Sequence, residues 1–356
     1  MNTAGLLYRQ KPLFGFDLGH GSIKVVQLDM TAKKPALMAY GTEPFDPKAI
    51  KDGQIADYDA LAKAAHSLIE DHLTGSVNTN RVAASLPVLH SFSRIISLPP
   101  MPEKDIHEAV RQEAEQYIPV PLGDLYLDYQ QVDKTPDSLD YLVAAAPKKV
   151  VDSYMTLFDA LGLELVAMEP SILSVTRIVQ HAESANLPTL VIDSGSITTD
   201  LIVFNKSVVR VTGTIKFGGE TLTEAIKTKF GVSNEEARNI KRSYGLDPGE
   251  RQTEIVSALS VPLNFLLSEI KKIIRYFEER DKSENVNVEQ IIILGGGANL
   301  PGISTYLTSQ LRIPVRLASI WHHTDMARIK PPDKLDTSMY ATAAGLALIK
   351  PNEAVK

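Results

Sequence analysis

Apolar and polar positions alternate in two short runs near the start of the chain. Phe14, Phe16 and Leu18 share one side of the first run, and Ile23, Val25, Val26 and Leu28 fill the second. A period of two predicts strands, and Asp17-Leu18-Gly19-His20-Gly21-Ser22 between them predicts a tight, glycine-bearing turn. From Asp59 to Leu73 the period lengthens: Leu61, Ala65, Leu68 and Ile69 recur at helical spacing. A polar, proline-containing crossover is expected before that helix.

After Arg81 the texture changes. Val82 to Leu89, broken by Pro87, and Phe92 to Leu98 read as strands, and Pro99-Pro100-Met101-Pro102 ends the second. Pro102 and Glu103 open an amphipathic helix with Ile106, Ala109, Val110, Ala114 and Tyr117 on its apolar side, stopped by Pro119 and Pro121. Strands follow from Leu125 to Val132 and from Tyr141 to Pro147, then a helix from Val150 to Leu161 that ends at Gly162. Paired strands mixed with two helices predict a self-contained α+β unit over residues 82–168, inserted into a first lobe.

At Leu190 the opening pattern returns. Leu190, Val191 and Ile192 lead into Asp193-Ser194-Gly195-Ser196, and Leu201 to Phe204 supply the second strand. Helices are then expected at Leu222 to Phe230, Asn234 to Tyr244 and Pro262 to Arg280, the last with Leu263, Leu266, Leu267, Ile270, Ile273, Ile274 and Phe277 on one face. Ile291 to Leu294 is a buried-type strand running into Gly295-Gly296-Gly297, and a final helix spans roughly Met339 to Ile349.

Composition narrows the class. At about 150 residues per domain, the 356 residues imply two or more domains, and 44% hydrophobic with 22% charged residues is ordinary for a globular chain. With no cysteine, disulfides, thiolate metal sites and cysteine nucleophiles are excluded together. A net charge of -6 supplies no global field for a phosphate backbone, so no nucleic-acid partner is expected. Neither Met1 to Pro12 nor the polar tail from Lys350 reads as a targeting segment or anchor, and charges are expected to keep every apolar stretch short of the ~18 residues of a spanning helix. A cytoplasmic chain that meets a membrane only through partners is the expectation.

The candidate chemistry lies in the turns. In both D-x-G turns, strands place backbone amides and one carboxylate at a hairpin tip. Gly19, Gly21 and Gly195 let a phosphate approach the main chain, and Asp17 and Asp193 suit Mg²⁺ held through its waters. A third D-x-G, Asp247-Pro248-Gly249, has no strand before it and reads as an ordinary turn. Gly296 and Gly297 bring backbone against a base or an α-phosphate, or simply turn a strand into a helix; Gly218-Gly219-Glu220, opening a helix, is a further anion candidate. The histidines His66, His72, His322 and His323 have no spacing suited to zinc.

The ordered set Phe14-Gly15-Phe16-Asp17-Leu18-Gly19, Val191-Ile192-Asp193-Ser194-Gly195 and Leu294-Gly295-Gly296-Gly297-Ala298 resembles the first phosphate, second phosphate and adenosine motifs of the actin, heat-shock chaperone and sugar-kinase superfamily. The inserted unit resembles the one shared by the cell-division protein FtsA and the type IV pilus assembly PilM family. Glu113-Ala114-Glu115-Gln116-Tyr117-Ile118-Pro119, Phe217-Gly218-Gly219-Glu220 and Tyr340-Ala341-Thr342-Ala343-Ala344-Gly345 look most like the PilM branch.

The resemblance implies an α/β, two-lobed actin-like ATPase fold: first lobe 10–81, 169–187 and 336–350, inserted subdomain 82–168, second-lobe core 188–215 and 286–335, and helical subdomain 216–285. It also implies ATP and Mg²⁺ as ligands. Gly19, Gly21, Ser22 and Lys24 would face the phosphates from one lobe, with Gly195, Ser196 and Thr198 closing from the other. Relatives carry Ala-Glu-x-x-Lys near the nucleoside; here Lys241 matches and Arg238 replaces the carboxylate, so Lys241 is either a nucleoside contact or a surface cation. Lys24 is either a phosphate ligand or a solvated strand residue. His20 and Ser196 depart from enzymatic relatives, which leaves binding in place and slow or absent hydrolysis as the expectation. Glu169, before Pro170, either orients an attacking water or is a hinge carboxylate.

As partner, the resemblance implies the cytoplasmic N-terminal peptide of PilN, held near the insertion, and other proteins of the pilus inner-membrane platform. Leu86, Ile95, Val110 and Tyr117 are groove candidates whose alternative is core. Two other functions stay open: a small-molecule kinase, which needs a carboxylate base that no segment plainly supplies, and an FtsA-like division protein, whose usual amphipathic tail is not expected after Gly345.

Overall fold

The computed structural model describes residues 11–31, 34–183, 187–249, 251–280, 286–333 and 336–349, so the expected boundaries at 10, 285, 335 and 350 lie outside the described residues, as do residues 1–10 and 350–356. The first lobe runs β1 (Phe14–Leu18), β2 (Ser22–Asp29), β3 (Ala36–Pro44), a short hairpin of β4 (Ile50–Lys51) and β5 (Gln54–Ile55), α1 (Tyr58–Asp71), β6 (Thr74–Gly75) and β7 (Arg81–Leu86). Next come β8 (Phe92–Leu98), α2 (Glu103–Glu115), β9 (Leu125–Lys134), β10 (Leu139–Pro147), α3 (Lys148–Ala160), β11 (Glu164–Pro170) and α4 (Ser171–Ala182). The second lobe holds β12 (Thr189–Ser194), β13 (Thr199–Asn205), β14 (Val208–Ile215), α5 (Gly219–Phe230), α6 (Asn234–Tyr244), α7 (Gln252–Arg280), β15 (Gln290–Leu294), α8 (Ile303–Leu311) and β16 (Val315–Leu317), and α9 (Ala341–Ala347) follows.

The echo in the sequence is a duplication in space. One sheet has the order β11-β7-β1-β2-β3-β6 and the other β14-β13-β12-β15-β16. In each, a hairpin extends to a third antiparallel strand on one side, and a parallel strand, β7 or β15, adjoins the first hairpin strand on the other. Strand parity then assigns the faces. Phe14, Phe16 and Leu18 pack outward on α1 and α3, with Phe16 edge-on to Phe158 at 5.2 Å. Leu190, Ile192, Leu201 and Ile293 pack outward on α5, α6 and α7. The inner faces, with Val26, Val191, Ile202 and Ile292, enclose α4 and α9 in one core that joins the lobes.

Local signals explain the helix ends. Asp57 caps α1 by accepting from the Ala60 N–H at 2.9 Å, and Ser233 caps α6 by accepting from Glu236 at 3.1 Å.

Four expectations are corrected. The inserted unit is narrower than 82–168: β7 lies between β1 and β11 in the first-lobe sheet, and α3 buries Tyr154, Leu157 and Phe158 in that lobe's core. What stands apart is the sheet β8-β10-β9 with α2 across one face. The crossover before α1 contains the nine-residue strand β3, whose alternation is masked because Leu37, Ala39 and Tyr40 are all buried and a bulge interrupts the β2 register. The helix expected from Pro262 begins ten residues earlier, at Gln252, and carries Pro262 inside it. An interior proline costs about 3 kcal/mol, offset here by burial of Ile255, Leu259, Leu263, Leu266 and Ile270. Through that proline α7 becomes long and apolar enough by composition to span a membrane, although those residues are built into the second-lobe core.

Candidate functional site

Parity places Asp17 and Asp193 on the inner faces, at the ends of β1 and β12, so the two hairpin tips oppose each other across the gap between the lobes. Each tip closes with the same bond: the Gly19 N–H donates to the Ser22 carbonyl at 3.0 Å, and the Gly195 N–H to the Thr198 carbonyl at 2.8 Å. Gly21 packs beside Pro47, and its carbonyl accepts from the Phe45 N–H at 3.1 Å.

The first tip is compensated. Lys24 stands opposite Asp17 in the hairpin register and donates from Nζ to Oδ2 at 3.2 Å, with only 16% of its side chain exposed. Neither earlier alternative describes this lysine fully, since it is an inward cation already paired with the tip carboxylate. Ser85 at the end of β7 donates to Asp17 Oδ1 at 2.8 Å and accepts from the Leu18 N–H at 3.1 Å. Below them Tyr154 is fully buried with no partner for its hydroxyl; burial, and then the Asp17 charge, raise its ionisation well above the usual phenol range.

The second tip is not compensated. The residue opposite Asp193 is Asp200. Burial, followed by the charges of Asp200 and Asp17, pushes Asp193 up to about 8, with Lys24 pulling the other way. Its side chain keeps an edge on the cleft while the protein around it removes most of its solvation. Asp200 is buried and accepts from the hydroxyls of Ser171 at 2.9 Å and Thr214 at 2.6 Å; burial raises it against those two bonds.

The Gly218-Gly219 turn braces this tip. The Gly219 N–H donates to the Gly195 carbonyl at 3.0 Å and the Glu220 N–H to the Ser196 carbonyl at 2.8 Å, while Thr221 and Leu222 bond the Gly218 carbonyl. The free amides at the start of α5 are thus occupied, which corrects Gly218 and Gly219 from open anion donors to supports for the second turn. Lys241 is no surface cation. Its amine donates to the Gly219 carbonyl at 2.7 Å and to Thr223 Oγ1 at 2.8 Å, and burial, with Arg242 and Arg238 adding to it against Glu220, pushes it down to about 8. Arg238, in the place of the family carboxylate, pairs with Glu220 at 2.9 Å.

Beyond β15 the chain turns at Gly295 with φ +82°, where a side chain would strike Asp193 Oδ1, and Gly297 lies against Ser194. Gly296 between them faces open space, which leaves room for a planar group to lie on the backbone. Asp247-Pro248-Gly249 follows α6 and packs at Asp247 against Gly302.

Glu169 is corrected as a candidate base. Both its oxygens accept from Arg177, at 2.6 and 2.9 Å, and Arg177 also donates to the Gly345 carbonyl at 3.0 Å. A carboxylate held bidentately by a guanidinium is a poor proton acceptor, and this one latches the β11–α4 crossing to α9.

Asp200, Ser85, Ser171 and Thr214 were missed by motif reading. The internal echo was the available signal: Asp200 occupies the register position of Lys24, and Ser85 is the penultimate residue of β7, the strand equivalent to the one that leads into Gly295.

A second feature lies between the insertion and the second lobe. A cavity of about 240 Å³ is lined by Phe92, Arg94, Tyr117, Val143, Gly213 and Thr214. Of the groove candidates only Tyr117 lines it; Leu86, Ile95 and Val110 are core, at 7%, 6% and 0% exposure.

The model of the type IV pilus assembly protein PilM family matches residues 15–350. The structure of a PilM-PilN type IV pilus biogenesis complex is similar at TM-score 0.84 and 25% identity, over 98% of this chain and 100% of the matched chain. The ethanolamine utilization protein EutJ from Carboxydothermus hydrogenoformans, at TM-score 0.56 and 17% identity over 94% of this chain and 88% of its own, shares the fold. So does MreB 5 of Spiroplasma citri bound to AMPPNP, at TM-score 0.53 and 16% identity over 95% of each chain. The cell division protein FtsA of Bacillus subtilis (strain 168) is 20% identical over 352 residues, 85% of this chain and 77% of FtsA. The duplicated sheets around α4 and α9 are therefore a two-lobed actin-like ATPase fold, and the chain belongs to the type IV pilus assembly protein PilM family.

Proposed function

We propose that this chain binds ATP with Mg²⁺ between its lobes and acts as a cytoplasmic scaffold at the inner face of the inner membrane, holding the cytoplasmic N-terminal peptide of PilN at its inserted unit. The observation that carries the nucleotide reading is the pair of matching hairpin tips, with Asp17 and Asp193 opposed across the cleft and the Asp193 carboxyl pushed up to about 8 by burial and by the charges of Asp200 and Asp17. A divalent cation supplies positive charge there when bound and neutralises a polyphosphate beside it. Gly19, Gly21 and Ser22 would face the phosphates from the first lobe, and Gly195, Ser196 and Thr198 from the second. Gly296 and Gly297 would pass beside the adenosine, and Lys241 would fix the α5–α6 wall. Pairing of Glu169 with Arg177 favours a binder with slow or no hydrolysis.

The partner reading draws on the family, on the complex that the similar structure represents, and on the cavity at the insertion. Calorimetric titration of the full chain with Mg·ATP tests the nucleotide site. Asp17→Ala should weaken binding by about 100-fold, the scale of losing a charged contact worth roughly 3 kcal/mol. Unchanged affinity in that variant would move the site elsewhere.

A further inference from the structure

Each lobe sends a segment across to the other. In the first lobe the chain that follows the parallel strand β7 is the insertion, and its β8 and β9 pack beside β14, the third antiparallel strand of the second lobe. Arg210 of β14 donates from Nη1 to Asp133 Oδ2 at 2.7 Å and stands 3.8 Å from Asp140. Ile95 and Leu142 of the insertion join Phe204 and Val209 in the core between the lobes. In the second lobe the chain that follows β15, α8 and β16 crosses to β3, the third antiparallel strand of the first lobe. There the Asp325 N–H donates to the Pro35 carbonyl and the Leu37 N–H to the Asp325 carbonyl, each at 2.8 Å, and Arg328 reaches Asp29 at 2.9 Å. The duplication thus extends to a pair of reciprocal clasps.

Both clasps grip strand ends remote from the hairpin tips. Asp29 pairs with Ala36 at the end of the β2–β3 ladder opposite Ser22 and Pro44. Arg210 lies four residues before Thr214, the register partner of Asp200, which is about 13 Å along a strand. The contacts of Arg210 and Arg328 are with Asp133, Asp140, Asp29 and Met38, none of them assigned to the nucleotide. A lobe held at its far end turns about that end, so the clasps decide how closely the tips stand. The two grips are unlike. At β3 two main-chain bonds hold the segment whatever its side chains do, and the Arg328 pair beside them is largely exposed and worth little. At β14 the polar grip runs through one partly buried guanidinium set between two acids, with its Nε buried and unbonded. Removing that cation leaves two enclosed acids facing each other, so the grip depends on Arg210.

We propose that Arg210 is a positioning residue for the nucleotide: its clasp on Asp133 and Asp140 ties the insertion to β14 and keeps the lobes at the separation at which Asp17 and Asp193 grip one ligand. This rests on the nucleotide reading above and adds to it control by a contact outside the cleft. Ligand affinity scales with the fraction of molecules in the competent arrangement, so loosening the clasp weakens Mg·ATP without removing any contact to it. By the same linkage, bound nucleotide tightens the clasp.

The test is calorimetry on the full chain with Mg·ATP, together with the distance between spin labels at Lys63→Cys and Lys229→Cys, exposed positions on the outer helices α1 and α5 of a chain that has no cysteine of its own. Arg210→Gln should weaken Mg·ATP about fivefold, the lower end of ordinary coupling between sites, and should lengthen or broaden the label distance in the nucleotide-free chain. Reversing the pair, Arg210→Asp with Asp133→Arg, should bring both readouts back toward wild type. Arg328→Gln, on the flank that the main chain holds, should change affinity less than about twofold. Where Arg210→Gln does not fold, Asp133→Asn takes its place and should move both readouts in the same direction. Wild-type affinity and wild-type label distance in the folded variant, or an equal loss in Arg328→Gln, would overturn the inference while leaving the nucleotide reading standing. Absence of Mg·ATP binding to the wild type would overturn that reading and the inference with it.

Discussion

In the first hairpin the residue opposite the tip carboxylate is a lysine, and in the second it is another carboxylate, although the two hairpins share strand order, turn bond and face. Asp17 with Lys24 and Ser85 forms a closed, neutral set that is complete in the bare protein. Asp193 with Asp200 places two acids at adjacent positions of a buried surface, and the outer of them gives up ionisation instead. A duplicated fold therefore presents one tip that is already satisfied and one that lacks positive charge. The lobe carrying Asp193 is the one a bound cation would stabilise most.

Breaking the compensated tip should have the largest effect. Lys24→Met leaves Asp17 inward with no cation and only the Ser85 hydroxyl as partner, and breaking an enclosed ion pair costs about 3 kcal/mol at the lower end of the range for buried pairs, which applies here because both side chains keep some exposure, 16% and 13%. Denaturant unfolding of the variant should show that loss. A change below about 1 kcal/mol, the scale of surface pairs, would mean that Lys24 compensates nothing.

The second tip should reveal itself in pH. Asp193 has its folded ionisation raised from 3.8 to about 8, so between those values the folded chain holds a proton that the unfolded chain has lost. Stability is then fully present below the unfolded value and falls as pH rises toward the folded one. Melting of the nucleotide-free protein should drop steadily from about pH 4 to pH 8 through this group, and Asp193→Asn should flatten that part of the profile. An equal slope in wild type and variant would remove the contrast between the tips.

Much of this was legible in the sequence, because two aspartates at matching places in an alternating pattern fix both the hairpins and the face on which their carboxylates lie. The outward Phe14 and Phe16, and likewise Leu190 and Ile192, leave Asp17 and Asp193 on the opposite face by parity alone. Motif reading could not supply the neighbours that decide charge. Ser85 reaches Asp17 from a strand 68 residues away in sequence, and Thr214 reaches Asp200 from a third strand, neither inside a recognisable turn. Lys241 and Glu169 were legible as residues but not as partners, since the Gly219 carbonyl and Arg177 are defined by helix packing rather than spacing. The insertion was drawn too wide for the same reason: β7 and α3 have unremarkable patterns, and only pairing with β1 and contact with Phe16 assign them to the first lobe.

The smallest expected effect sharpens the comparison most finely. Tyr154 lies in the core beneath the first tip with its hydroxyl buried and unpartnered. A buried hydroxyl without a bond costs about 1–3 kcal/mol relative to one that is bonded, yet Phe158 beside it shows that an aromatic ring alone fills this layer well. If Lys24 and Ser85 already satisfy Asp17, Tyr154→Phe removes only the unbonded hydroxyl. Unfolding should then show unchanged stability or a gain of up to about 1 kcal/mol, and Mg·ATP affinity should not move. A loss of stability, or weaker nucleotide binding in the variant, would mean that the hydroxyl supports the Asp17 carboxylate, and that the first tip is held from below as well as from across its hairpin.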